Sequence, residues 1–185
     1  MIAARFQPIV VLVTLIWVVE AVNFFLGHGL VSWGILPRSF GGLIGIPLAP
    51  MLHGSFWHTV SNTIPLLFLG ALTLAKGKRM FWETTVSVTL LSGVLVWLFA
   101  RESYHVGASG LVFGYFGAIL ARAAIERSLI SMAIGVITIM TYGALIWGIL
   151  PMQSQVSFES HLFGLIAGIF VVWLDVKLSR SKPPS

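Results

Sequence analysis

The sequence predicts an all-α integral membrane protein: six spanning helices in one compact domain over residues 1–185, with both termini in the cytoplasm. Three observations predict it. Of the 185 residues, 57% are hydrophobic and only 9% charged, with a mean hydropathy of +0.97, whereas soluble domains carry roughly 25% charged residues. Six segments approach the ~20 apolar residues that a span requires. Lysine and arginine collect at alternate ends of those segments, the pattern that sets membrane orientation.

The first segment, about Pro8–Leu26, follows Arg5 and resembles a signal peptide. Its apolar run is longer than the usual signal core and no small-x-small cleavage site closes it, so it reads as a retained helix. Gly27–Trp57 is still hydrophobic (Leu43-Ile44-Gly45-Ile46-Pro47-Leu48) but too broken by Gly and Pro to span. It reads as an interfacial or partly submerged loop. The remaining spans are about His58–Ala75, Met80–Ala100, Ser109–Ala124, Leu129–Leu150 and His161–Leu178. Of the 11 basic residues, Arg5, Lys76, Lys78, Arg79, Arg122, Arg127, Lys177, Arg180 and Lys182 fall on one side. Only Arg38 and Arg101 fall on the other, and the larger set marks the cytoplasm. All five histidines, His28, His53, His58, His105 and His161, then lie at the outer side.

Composition also excludes several classes. The net charge of +5 is scattered over span ends, with no basic run interleaved with aromatics, so nucleic acid is not the partner. With no cysteine there is neither a disulfide framework nor thiolate chemistry. No His-Glu-x-x-His motif offers a metal site, and no cofactor is implied.

Polar residues inside spans carry the remaining information. His58 and Asn62, preceded by His53, are four apart and share one helix face. Such groups in a membrane either line a polar cavity or hydrogen-bond between helices. Ser109 stands between Gly107 and Gly110 at a helix start, where free backbone N–H groups can hold a developing negative charge. A plain serine N-cap also fits that position. Gly110, Gly114, Gly117, Ala118 and Ala121 form a small-residue face on the fourth span; Gly164 and Gly168 form one on the sixth. If the two faces meet, Ser109 and His161 share one level, His161 can act as general base, and Phe113 packs on its imidazole. Glu159 is not placed to complete a triad, which leaves a Ser/His dyad. Glu20, the deepest acid, reads as a neutral or hydrogen-bonded carboxyl that stabilises the bundle, while Glu83 and Asp175 read as solvated.

In this order, His53/His58/Asn62, then Gly107-Ala108-Ser109-Gly110, then Ser160-His161-x-x-Gly164 resemble the rhomboid family of intramembrane serine proteases. The resemblance covers nearly the whole chain and implies a six-helix rhomboid-like bundle. It implies Ser109 as nucleophile and His161 as base. It assigns His58 and Asn62, with the Ser109 backbone N–H, to the oxyanion hole; His53, Gly107, Gly110, Phe113 and Gly164 are supporting residues. Three positions depart from the family pattern. Ile44-Gly45 stands where many members carry Trp-Arg in the first outer loop, Ser160 replaces an alanine, and Phe113 replaces a tyrosine found in some members.

The expected activity is endoproteolysis of transmembrane proteins near the outer membrane face. Favoured substrates carry small or helix-breaking residues near their outer ends. Pro151–Glu159, with Met152, Val156 and Phe158, reads as a cap, and the fifth span as a lateral gate. A prokaryotic plasma membrane is the default location. The competing readings are an inactive rhomboid-like scaffold that binds membrane proteins and a histidine-based proton relay.

Overall fold

The computed structural model describes residues 2–151 and 156–180; Met152 of the expected cap, and Lys182, lie outside them. The described residues are helical, with an isolated bridge between Ile35 and His105 in place of any sheet. The long helices are α1 (Ile2–Phe25), α2 (Phe56–Leu74), α3 (Lys78–Phe99), α4 (Ser109–Glu126), α5 (Leu129–Tyr142) and α6 (Phe158–Arg180). Five segments are long and apolar enough to cross a membrane: Arg5–Phe25, Lys78–Phe99, Ser109–Glu126, Leu129–Ile149 and Phe158–Ser179. α2 is not among them. His58, Ser61 and Asn62 lower its hydropathy while leaving its 19 residues long enough, at about 1.5 Å each, to approach the bilayer core thickness.

Several boundaries differ from the sequence reading, each for a local reason. α1 runs through Pro8 to Ile2. α2 begins at Phe56 because Ser55 caps it, its hydroxyl accepting from the His58 N–H at 3.2 Å. The fifth segment is α-helical only to Tyr142 and continues as a 3₁₀ stretch over Gly143–Ile149.

α4 is the centre of the bundle, with every residue from Leu111 to Ile119 buried. Around it pack Leu66 and Leu69 of α2, Phe81 and Val88 of α3, and Ala167 of α6. The two small-residue faces do meet. A Cβ on Gly164 would overlap the Gly110 carbonyl oxygen, one on Gly168 the Gly114 carbonyl oxygen, and one on Gly117 would lie 2.6 Å from the Leu165 oxygen. α5 lies at the edge, with Leu129 and Met140 more than four-fifths exposed.

The loop between α1 and α2 does not span. It is a chain of short turns, Gly29–Trp33, Gly41–Ile44, Gly45–Leu48 and Ala49–Met51, and its Ile35, Ile46 and Ala49 bury against Val96 of α3 and Ala100 just after it. An arginine and a tryptophan do anchor it, but from positions other than 44 and 45. Arg38 Nη1 donates to the Ala100 carbonyl at 2.8 Å, its backbone N–H to the Trp97 carbonyl at 3.0 Å, and Trp97 Nε1 to the Ser39 carbonyl at 2.8 Å. At Gly45 any Cβ would overlap the backbone of Gly34 and Ile35, so no arginine fits there.

Glu83 and Asp175, which read as solvated in the sequence, also pair with arginines, and Glu126 does the same. Asp175 accepts from Arg122 at 3.0 Å, Glu126 accepts from Arg122 and Lys76 at 2.7 Å each, and Glu83 accepts from Arg79 at 2.6 Å. Glu20, 2% exposed, has Oε1 3.2 Å from His28 Nε2, just past the end of its own helix.

Candidate active site

Gly107 has φ 115°, a conformation that side-chain-bearing residues rarely adopt, and it turns the chain into α4. Ala108 is the N-cap and Ser109 the first helical residue; neither side chain caps the helix. The simple N-cap alternative for Ser109 therefore falls, and its hydroxyl is free for other chemistry. The Ala108 N–H donates to His53 Nε2 at 3.2 Å, so His53 ties the start of α4 to the loop before α2.

His161 lies in the first turn of α6, 8% exposed. Its ring stacks on Phe113, centroids 4.2 Å apart and planes within 6°. The ring therefore packs on Phe113 without needing a tyrosine hydroxyl there. Nδ1 lies 2.8 Å from the Gly148 carbonyl oxygen. A carbonyl can only accept, so Nδ1 carries the proton and Nε2 of the neutral ring keeps a lone pair. Glu159, the acid nearest in sequence, is engaged by Arg101 at 3.4 Å and completes no triad.

His58 and Asn62 converge on the same spot from α2. A Cβ on Gly107 would lie 2.7 Å from His58 Cε1, 2.8 Å from His58 Nε2 and 3.8 Å from Asn62 Nδ2. Only glycine lets the chain pass this close to both donors. Asn62 Nδ2 donates to the His58 carbonyl at 2.9 Å, within its own helix, which leaves its second N–H uncommitted. The His53 and His58 rings meet edge to face at 5.0 Å. Gly110 sits 3.3 Å, measured from an added Cβ, from the Ser160 carbonyl oxygen, and Gly164 sits against Gly110.

Ser109, His161 and His58 line one cavity of about 430 Å³, together with Ser55, Tyr104, Val156 and Ser157 among others; none of its lining residues is acidic. The hydroxyl and the imidazole face this cavity without a hydrogen bond between them. Catalytic contacts of this kind often tighten only when substrate is bound.

Burial pushes the His53 imidazole down to about 3, and the neighbouring His58 pushes it the same way. As pH falls below the ordinary value of 6.5, the unfolded chain takes up a proton that folded His53 refuses until about 3. Stability is thus lost as pH drops through that window. His53→Gln keeps an acceptor for the Ala108 N–H, so its thermal midpoint in detergent should fall less steeply below pH 6.5 than that of the wild type. Equal slopes would show that His53 does not carry this dependence.

Sequence reading missed several residues that build the site. His105, 2% exposed, must donate from Nε2 to the Arg101 carbonyl (3.0 Å), so its Nδ1 accepts from Ser157 Oγ (2.6 Å), which in turn bonds Ser160 Oγ at 2.7 Å. Asn23, fully buried, joins the His53 carbonyl (2.8 Å) and the Leu30 N–H (3.0 Å). Arg101 Nη2 donates to the Val156 carbonyl at 2.6 Å and its guanidinium lies over Phe158. The position of these polar residues at span ends was visible in the sequence; their partners, more than 50 residues away for Ser157 and Val156, were not.

A family model described as the Rhomboid domain matches residues 40–178. "Uncharacterized protein Rv1337" of Mycobacterium tuberculosis is 35% identical over 176 residues, 90% of this chain and 73% of its own length. "Putative rhomboid protease YdcA" of Bacillus subtilis is 29% identical over 136 residues, 71% of this chain and 67% of its own length. "RHOMBOID-like protein 4" of Arabidopsis thaliana is 32% identical over 130 residues, 65% of this chain and 31% of its own length.

Proposed function

Because this chain belongs to the rhomboid family, a family of intramembrane proteases, we propose that it is a serine endopeptidase that cleaves transmembrane proteins with a Ser109/His161 dyad. One observation carries the reading. Ser109 and His161 stand on adjoining helix ends and line one cavity, with the base tautomer leaving Nε2 unprotonated. Ser109 Oγ attacks the substrate carbonyl carbon while His161 Nε2 takes its proton. The tetrahedral oxyanion is held by His58, the free N–H of Asn62 and the Ser109 backbone N–H. His161 then returns the proton to the leaving amine, and water, activated by the same base, hydrolyses the acyl-enzyme.

In this reading residues 1–185 work as one membrane domain with six spans. α2 is the sixth, its polar end turned onto the site rather than to lipid. Both termini are cytoplasmic, the cavity opens to the outer side, and the bacterial relatives support a prokaryotic plasma membrane. The exposed, loosely packed α5 with its 3₁₀ continuation acts as the lateral gate, and the chain from Pro151 to Glu159 as a cap. Substrates carry small or helix-breaking residues near their outer ends, because a helical scissile bond is shielded by its own hydrogen bonds.

The test is covalent labelling of detergent-purified protein with a fluorescent fluorophosphonate. Wild type should label, and Ser109→Ala and His161→Ala should not, with helical spectra intact. Failure of folded wild type to label would replace this reading with a non-cleaving scaffold.

A further inference from the structure

His161 has no acid partner, yet its Nδ1 is not left to water. It donates to a backbone carbonyl, Gly148, on the 3₁₀ stretch Gly143–Ile149 that continues α5. The fit at this contact is close: a Cβ on Gly148 would lie 3.1 Å from His161 Nδ1 and 2.9 Å from Phe113 Cζ. Glycine is therefore what lets the segment approach both the base and the ring that supports it. The same segment lies at the surface, with Leu145 its contact to the core. None of its residues is buried, and Trp147 is two-thirds exposed.

We propose that the Gly148 carbonyl is the positioning group of the base, filling the place an acid holds in a triad, and that the dyad is complete only while Gly143–Ile149 lies against the bundle. This rests on the protease reading above and adds a coupling between the exposed edge of the fold and the chemistry. A base whose other nitrogen is unanchored loses both ring orientation and tautomer. Neutral imidazole would then carry its proton on either nitrogen, and only the form protonated on Nδ1 can accept from Ser109. Displacing the segment, as passage of a substrate helix past α5 demands, switches the base off until the segment returns.

Two variants separate the hydrogen bond from mere packing. An amide-to-ester replacement of the Gly148–Ile149 linkage weakens the carbonyl as an acceptor and leaves its shape. Gly148→Ala keeps the amide but forces the segment away from His161 and Phe113. Both should slow fluorophosphonate labelling of Ser109, the ester roughly tenfold, the worth of about one neutral hydrogen bond. Ring ¹⁵N spectra, with His161 assigned from His161→Gln, should show Nδ1 protonated in wild type and a mixed tautomer population in both variants. Two results would overturn the proposal: a wild-type ring protonated on Nε2, or an ester variant with wild-type labelling and tautomer even if Gly148→Ala is slow. Absence of labelling in wild type alongside a normal Nδ1–H signal would defeat the protease reading while leaving the Gly148 bond established.

Discussion

Ser109→Ala should leave no measurable turnover of a transmembrane substrate, whereas Asn62→Ala should lower kcat by about 10²–10³ with KM nearly unchanged. The difference follows from what each side chain does in the proposed mechanism. Without the Ser109 hydroxyl no acyl-enzyme forms, and among the described residues nothing else in the cavity replaces it: the other hydroxyls lining it there are Ser55, which caps α2, Ser157, which bonds His105, and Tyr104. Asn62 supplies one of several donors, with His58 and the Ser109 N–H still in place. The loss appears in kcat because the oxyanion exists only beyond the ground state. Steady-state cleavage in proteoliposomes over a range of substrate concentrations reads both values. Equal loss in the two variants would show that Asn62 holds the site's structure rather than its transition state.

Gly164→Ala should destabilise the fold by about 3 kcal/mol or more and lose activity with it, although residue 164 touches no substrate. Overpacking a tight core ordinarily costs about 1–3 kcal/mol. Here the added methyl meets the Gly110 backbone oxygen, which no rotamer change can move aside. α4 and α6 must separate, and they carry Ser109 and His161 at their ends. Gly29→Ala is the matched control, since a Cβ there meets nothing within 4 Å. Thermal midpoints in detergent, with fluorophosphonate labelling, should fall for the first and stay level for the second. A wild-type midpoint for Gly164→Ala would mean that the two helices do not pack through these glycines.

Much of this was legible because membrane chemistry writes large signals. Long apolar segments, basic residues at alternate ends and glycines at helical spacing each follow from local rules, and they placed the spans and the α4–α6 contact to within a few residues. α2 was the weak point. Its His58 and Asn62 depress its apolarity by the same polarity that made them candidates for the site. The loop anchor was misdirected by its usual location: Ile44-Gly45 carried no Trp-Arg, yet Arg38 and Trp97 do that work.

By itself the sequence determined the all-helical membrane class, the order of the helices and the polar residues at their ends. These depend on composition and on contacts only a few positions apart. The tertiary structure alone decided which atoms meet. It brought His53 to the Ala108 N–H across 55 residues, His58 and Asn62 to the bare Cα of Gly107, and His161 to the Gly148 carbonyl. A hydrogen bond depends on an angle and a few tenths of an ångström, which arise only when every helix has found its neighbours.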